Sequence, residues 1–472
     1  MEETDIRRRD HWYLVAGLVA AIALRGLVVW LRADELTADR DVYLGIARGV
    51  AEARGFCSPG STVPTAFRPP LYPLMLAGLM VAVPAGVAVA FVNGLFGVAA
   101  VWATWRASQC LGLGRAGLLA ALLVGVDPLL LRYTSQPMTE TTCAGLVALL
   151  LLATVSARVP LARGFARQCS STPLAAQSCR QCHPIVLMLL AMVSNEWQNS
   201  RREWAVGALF GLLVLCRPTF WPLAGLMVAA WSLNRWRGSC GLEKATIGGL
   251  GAAGQRGLPW RVAVATMLVV SSWLVRNQLV FGVPLLTTTH GGYTLLLANN
   301  SVFYDEVVDQ PWGTVWQGDS LARWQSEQDE RLERDLGPRA SEIERDARLN
   351  AIAWKFIAAE PRRFLRATWH RLRSLWSTVP HGDAGDGTSR WLIEAVGWYS
   401  SFVLLAFVIG MVVVARRPDR GRWWLPYALV ITVQVVHLVY WTNARMRAPL
   451  TPVISLFAAA ILAPRVRPVP AE

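Results

Sequence analysis

The sequence predicts an all-α polytopic integral membrane protein of about ten transmembrane helices, with loops on the outer face that carry short helices. Three observations predict it. Of 472 residues, 54% are hydrophobic and 17% charged, against roughly 45–50% and ~25% in soluble domains, and the mean hydropathy is +0.35. Apolar runs near the ~20 residues that cross ~30 Å of hydrocarbon recur along the chain. The arginines between those runs alternate in a way that sets sidedness. One aqueous core cannot shelter this much apolar surface, which excludes a soluble enzyme, a disordered chain and a disulfide-stapled secreted protein.

The first run, Trp12–Leu31, follows Arg7, Arg8 and Arg9, which places the N-terminus in the cytoplasm. It is long for a signal segment and lacks a small-residue cleavage site, so it reads as an uncleaved anchor. Further runs fall at 87–105, 116–132, 141–157, 205–216, 219–233, 261–280, 392–415, 423–441 and 449–464. The pieces 205–216 and 219–233 are short and meet at Arg217-Pro218, and Ile185–Val193 is too short to span. Ten spans put Arg106 and Arg115, Arg235, Arg237 and Lys244, Arg416, Arg417, Arg420 and Arg422, and Arg465 and Arg467 all on inside turns. The stretch Pro69–Pro84 is apolar but short and proline-bounded; counted as a span it would break that agreement, so it reads as an interfacial helix. The net charge of +14 belongs to this inside bias rather than to nucleic acid, and all of its cations but Lys244 and Lys355 are arginines.

The chain divides into an N-terminal transmembrane module 1–300 containing a first outer loop 32–86, an extracytoplasmic region 301–391, and C-terminal helices 392–472. Region 301–391 holds 13 Arg/Lys against 15 Asp/Glu, a net of −2, and long loops translocate largely regardless of charge. Within it 341–376 reads as one helix. Phe364, Trp369, Leu372 and Trp376 recur there at helical spacing among Arg362, Arg363, Arg366, Arg371 and Arg373, a pattern that suits anionic lipid or packing on the loop itself.

Several polar residues stand at outer span ends. Asp39 and Asp41, two apart beside Tyr43, have the chemistry of a general base or, with Glu140, of a divalent-metal site; paired acids in loops are also common without function. Arg68, in Phe67-Arg68-Pro69-Pro70-Leu71-Tyr72-Pro73, opens a helix where it meets a phosphate or simply snorkels. Glu140 begins a span, where a carboxylate also complements the helix dipole. Arg217, and with less support Arg25, lie at membrane depth, where a charge is costly and hence a functional candidate. Arg276, Arg445 and Arg447 sit on outer turns, against the positive-inside bias, and arginine pairs hold phosphate bidentately. His290 and Asn299 belong to a polar, glycine-containing turn that brings backbone close to a ligand or is a plain loop.

Cys179-Arg180-Gln181-Cys182-His183 matches a haem-attachment spacing, but it falls on the inside and lacks a second axial ligand. A zinc site completed by Cys169 fits no finger spacing. The eight cysteines are scattered, with none after Cys240, so no disulfide framework holds the later loop. P-loop and nucleophile-elbow motifs are absent from the sequence, as is a defensible internal repeat.

Taken in order, these motifs resemble the membrane-embedded C-type glycosyltransferases (GT-C), in the bacterial branch similar to protein O-mannosyltransferases and the lipid A aminoarabinose transferase. The elements are an acidic-x-x-x-Tyr after the first span (Asp39 to Tyr43), Phe-Arg-Pro-Pro-Leu-Tyr-Pro, Thr139-Glu140, and Leu215-Cys216-Arg217-Pro218. Arg276-Asn277, Gly291-Gly292-Tyr293 with Asn299-Asn300, and Arg445-Met446-Arg447-Ala448-Pro449 complete the set, over most of 10–465. The resemblance implies a GT-C-like bundle and a sugar transferred from a polyprenyl-phosphate donor to a lipid, glycan or protein acceptor on the extracytoplasmic face of the inner membrane. It implies that Asp39, with Asp41 as rival, is the first-loop catalytic carboxylate and Glu140 the second. Arg217, Arg445 and Arg447 would face the lipid phosphate. Divalent metal use varies in the family, and no other cofactor and no nucleic acid partner is implied. The cysteine-bearing 158–204 segment departs from the pattern. The alternatives are a lipid-linked oligosaccharide polymerase or ligase, a catalytically inactive scaffold, and a lipid or glycan transporter, although transporters favour repeats and midplane polar residues.

Overall fold

The structure is a computed structural model that describes residues 2–156, 184–239, 260–379, 381 and 389–463. Cys169, Cys179, Cys182, His183, Cys240 and the arginines after 464 lie outside the described residues. Among the described residues the chain is helical, with only an isolated bridge between Cys57 and Pro64.

Helix α1 (Glu2–Leu31) is followed by the first loop with α2 (Tyr43–Ala51) and α3 (Leu71–Met80). Then come α4 (Ala85–Cys110), α5 (Ala116–Gly125), α6 (Pro128–Arg132) and α7 (Glu140–Val155). The next three are α8 (Pro184–Cys216), α9 (Trp221–Ser239) and α10 (Trp260–Phe281). The long later loop holds α11 (Gly291–Leu297), α12 (Gly318–Leu336), α13 (Glu342–Ala359) and α14 (Pro361–Leu375). The chain closes with α15 (Arg390–Ala415), α16 (Trp424–Val436) and α17 (Thr451–Ala460).

Among the described residues, five helical stretches are long and apolar enough to cross a membrane: Trp12–Leu31, Ala85–Cys110, Ala116–Ser135, Trp260–Phe281 and Arg390–Ala415. Their outward faces are apolar: Trp12, Val19, Ile22 and Trp30 on α1, and Trp398, Phe402, Leu405 and Val408 on α15, are exposed. Contiguous surface of this kind is tolerated in hydrocarbon and not in water. The chain is therefore a multi-pass helical membrane protein. The other expected spans are realised as helices that are shorter or do not meet this combination of length and apolarity. Glu140–Val155 is buried along most of its length inside the bundle.

Several boundaries differ from expectation. The Ile185–Val193 run and 205–216 belong to one continuous helix, α8, because the polar stretch between them contains neither proline nor glycine to stop it. The run 423–441 stops being helical at Val436, and 449–464 is helical over Thr451–Ala460. The expected helix 341–376 is two helices, α13 and α14. Pro361 lacks the N–H that would continue α13 and begins α14 at its first position. The stretch 69–84 does contain a helix, α3, at 10 residues too short to span.

Close approach of helices rests on glycine. A β-carbon at Gly207 would collide with the Val262 carbonyl on α10, and one at Gly410 with the Phe457 carbonyl on α17. Small residues let membrane helices meet backbone to backbone, where dispersion replaces the missing hydrophobic force. Arg25 is absorbed into this scaffold. It is 3% exposed and donates to the carbonyls of Gly125 (3.2 Å) and Val124 (3.4 Å) at the end of α5, acceptors that the helix leaves unpaired.

Candidate functional site

The two first-loop aspartates have separate jobs. Asp39 accepts hydrogen bonds from the backbone N–H groups of Leu44 (2.9 Å) and Gly45 (2.6 Å), which otherwise go unpaired in the first turn of α2. Val42, at the helix entry, adopts φ 57° and ψ 13°. A β-branched residue in that left-handed region costs on the order of 1–3 kcal/mol. The kink carries Asp41 away from the helix. Its Oδ1 accepts from Arg68 Nη2 at 3.1 Å, and its carbonyl accepts from Arg68 Nε at 2.8 Å. Its Oδ2 stands 2.9 Å from Arg445 Nη2.

Glu140 is the first residue of α7 and is 1% exposed. Its Oε1 lies 3.0 Å from Arg445 Nε and 3.5 Å from Arg217 Nη1, while its Oε2 is buried without a hydrogen-bond partner. Arg217 is extended backbone between α8 and the short turn Pro218–Phe220. Arg445 lies on a 3-10 segment, Ala444–Leu450, whose start Asn443 caps by accepting from Arg445 N at 3.1 Å. The result is a continuous chain, Arg68–Asp41–Arg445–Glu140–Arg217. Three guanidiniums face two carboxylates, which leaves one positive charge uncompensated within the cluster.

The electrostatics follow from this arrangement. Burial pushes the Asp41 carboxyl up, but Arg445 and Arg68 outweigh it and hold the group below its ordinary value, with His290 a smaller contributor. Burial opposes the Arg445 cation, yet Glu140 and Asp41 raise its affinity for the proton above the ordinary arginine value. Burial pushes the Tyr43 phenol up to about 12, so the ring stays neutral. Tyr43 meets Tyr72 edge-on at 5.6 Å, and Arg68 lies over the Tyr43 and Phe67 rings at 5.4 and 4.9 Å.

The other sequence candidates fall at the rim or outside. His290 packs against Phe67 (4.2 Å) and Tyr293 (5.1 Å), and its buried Nδ1 has no hydrogen-bond partner. Burial and then Arg68 push its pKa down to about 3, so its ring is neutral. Arg276 does not join the cluster. It donates to the Phe56 carbonyl and Asn277 Oδ1, each at 2.9 Å, and stacks on Phe56, Trp273 and Phe281. Asn299 is scaffold, bonded to the Leu295 and Val439 carbonyls and accepting from Arg371. Arg447 is turned away from Arg445 and donates to the carbonyls of Leu375 (2.9 Å) and Ser377. Two residues apart on a three-per-turn helix point to different sides, so Arg-x-Arg supplies one cluster arginine and not two.

Sequence reasoning missed the groups that hold the loops in place. Glu342, at the start of α13, accepts from Thr65 Oγ1 (2.5 Å) and Ala66 N (2.8 Å), just before Arg68. Asp346, one turn on, accepts from Gly292 N at 2.6 Å, beside His290. A β-carbon at Gly292 would strike the Asp346 carbonyl, so that contact needs glycine. The Ser341–Glu344 capping box that starts α13 is legible in sequence; its long-range partners are not. The thioethers of Met138 and Met446 also pack on the cluster, 3.3 Å from Arg445 Nη1 and 2.6 Å from Arg217 Nη2.

A divalent cation does not fit the donor set Asp39, Asp41 and Glu140 as arranged. Asp39 spends both oxygens on backbone amides, and the Arg445 guanidinium fills the space between the other two carboxylates. Among the described residues no group of three or more His, Cys, Asp or Glu could hold a metal ion. What the cluster offers instead is a desolvated cationic site for an oxyanion beside an ionised carboxylate.

No protein-family model matches the chain, and no curated protein does. Among solved structures it is similar to the archaeal oligosaccharyltransferase AglB from Archaeoglobus fulgidus in complex with an inhibitory peptide and a dolichol-phosphate. The identity is 14% over 96% of this chain and 50% of that one, with a TM-score of 0.46. The same oligosaccharyltransferase tethered to an acceptor peptide gives 12% identity over 96% and 49%, with a TM-score of 0.47. ArnT from Cupriavidus metallidurans in the apo state gives 13% over 93% and 77%, with a TM-score of 0.32. The chain spans about half the length of the oligosaccharyltransferase.

Proposed function

We propose that the protein is a membrane glycosyltransferase that moves a sugar from a polyprenyl-phosphate donor to a hydroxyl or amine acceptor at the extracytoplasmic face of the inner membrane. The observation that carries this reading is the Arg68–Asp41–Arg445–Glu140–Arg217 chain. It brings a carboxylate and a cationic clamp together, and they come from the positions at which the ordered sequence motifs imply a glycosyltransferase site.

In this reading the donor phosphate lies against Arg445 and Arg217, which receive the charge that develops as the sugar–phosphate bond breaks. The acceptor attacks the anomeric carbon from the opposite face, and Asp41 takes its proton. A new glycosidic bond replaces the anomeric carbon–oxygen bond, and polyprenyl phosphate leaves as the anion. The arginines couple the two halves. A phosphate that engages Arg445 weakens its pull on Asp41, so donor binding makes Asp41 a stronger base when the acceptor needs one. Glu140 keeps Arg445 and Arg217 in register between turnovers.

The test is donor turnover by purified protein in lipid vesicles, offered a panel of polyprenyl-phosphate sugars and assayed for released polyprenyl phosphate. Release by wild type and its loss in Asp41→Asn support the reading. Release unchanged in Asp41→Asn removes the carboxylate from the chemistry, and a wild type inert to every donor with a panel of acceptors present overturns the reading.

A further inference from the structure

The face of α14 that looks away from the protein combines arginines with exposed apolar side chains. The helix carries five arginines and no acidic residue. Two of the five are spent inside the protein. Arg371 is 1% exposed and bonds to the carbonyls of Leu438 and Ala298, and Arg363 pairs with Asp305, Asp309 and Glu360. The other three, Arg362, Arg366 and Arg373, lie with Leu365 and Trp369 within about 100° of arc on the opposite side, by the 3.6-residue turn. Arg362 and Arg373 have no carboxylate partner among the described residues, and Arg366 shares Asp309 with Arg363.

Leu365 is 66% exposed and Trp369 61% exposed, in the middle of this cationic stripe. Beside them opens a cleft of about 440 Å³. Val308, Gln310 and Trp312 form one wall; Arg366, His370 and Arg373 form the other. Arg373 lies over the Trp312 ring at 4.0 Å. The helix also ends at the bundle. Trp376, one residue past it, stacks on Phe407 of the spanning helix α15 at 5.5 Å, and α15 opens with the exposed Trp391.

We infer that this face of α14 is a docking surface for anionic phospholipid. The headgroup phosphate sits between Arg366 and Arg373 at the mouth of the cleft, with Leu365, Trp369 and Trp312 at the glycerol level. Guanidiniums pair with phosphate, tryptophan prefers the interface over either water or hydrocarbon, and a convex helix with both on one stripe lies in the headgroup plane. A zwitterionic lipid has its own ammonium beside the phosphate, which competes for it with Arg362 and Arg373, the two guanidiniums that no carboxylate pairs among the described residues. The inner face of the same helix holds Asn299 through Arg371, and its last carbonyl, Leu375, receives Arg447. Lipid bound outside thus braces the element on which the 444–450 segment is seated.

The inference is independent of the catalytic reading, and its test needs no turnover. The full protein is placed in nanodiscs of phosphatidylcholine alone or with phosphatidylglycerol, one lipid at a time carrying brominated acyl chains. Tryptophan quenching is compared between wild type and Trp369→Phe, so that the difference isolates Trp369. The expected result is Trp369-dependent quenching that is at least twofold greater with brominated phosphatidylglycerol than with brominated phosphatidylcholine. The selectivity should vanish in the double variant Arg366→Gln/Arg373→Gln, with helical circular dichroism unchanged. Equal quenching by both lipids overturns the headgroup preference. Absence of Trp369-dependent quenching by either lipid, or protection of Trp369 by a soluble anionic oligosaccharide in the lipid's place, overturns the docking surface.

Discussion

Arg445 stands between two carboxylates that the chain brings from distant segments, with Nη2 2.9 Å from Asp41 Oδ2 and Nε 3.0 Å from Glu140 Oε1. A guanidinium spreads its charge over a fixed plane with donors aimed at both carboxylates, whereas an ammonium concentrates it on one freely rotating nitrogen. Arg445→Lys is therefore expected to lose at least ~10-fold in turnover although charge is kept, with a larger loss in Arg445→Gln, where Asp41 and Glu140 repel each other without an intervening cation. Equal activity of the lysine variant and wild type would show that only the charge matters.

Asp39 and Asp41 should separate by phenotype. Asp41→Asn removes the proposed base and should lower turnover by ~10²–10⁴-fold, a loss far larger than the fraction of protein unfolded by stripping a counter-charge from Arg68 and Arg445. Asp39→Ala removes the cap on Leu44 and Gly45 and should cost ~1 kcal/mol of stability. Thermal unfolding and donor release measured on both variants decide it; a reversed pattern would exchange the two roles.

His290 makes the fold sensitive to acid. Its pKa in the folded protein, about 3, is below the ~6.5 of an unfolded histidine, so the unfolded chain binds more protons between those values. Stability is then complete above about pH 6.5 and is lost as pH falls toward about 3. Asp41, also held below its ordinary value, adds loss only below the ~3.9 of a free aspartate. A His290→Gln variant should flatten the stability profile between about pH 4 and pH 6.5. A profile with the same slope in both proteins would place the proton elsewhere.

Glu342 acts on the site through backbone. Its carboxylate holds Thr65 and Ala66, and Arg68 follows two residues later. Glu342→Ala leaves those donors unpaired and should cost ~1–3 kcal/mol. With Arg68 loosened, KM for the donor should rise more than kcat falls. Glu342→Gln keeps an acceptor and should recover part of the loss. A fall in kcat alone would point to direct chemistry instead.

Gly410 tests the membrane packing. Its absent side chain lets α15 meet the Phe457 carbonyl of α17. Gly410→Leu should cost at least ~1–3 kcal/mol, the usual range for overpacking, read as a lower unfolding temperature in detergent. Gly94, with open space around its β-carbon position, is the control and should accept alanine with little change.

The sequence by itself determined the solvent this protein lives in and which residue types matter. Hydrophobic excess cannot be hidden in water, so the membrane class follows from composition. Arginines and acids at span ends are too costly to be incidental, so Asp41, Arg68, Glu140, Arg217 and Arg445 could be picked out one by one. Helix ends were less legible: 341–376 read as one helix although Pro361 lacks the N–H to continue it, and the continuation of α8 through a polar stretch depended on the absence of breakers, which hydropathy does not register. Only the tertiary structure decided that those five side chains form one chain of ion pairs while Arg276, Asn299 and Arg447 do not. It also decided that Asp39 caps a helix and Asp41 does not, because a strained Val42 turns two neighbouring carboxylates in different directions. Spacing along a chain fixes side-chain direction only where the backbone is regular, and this site is assembled from the irregular ends of helices.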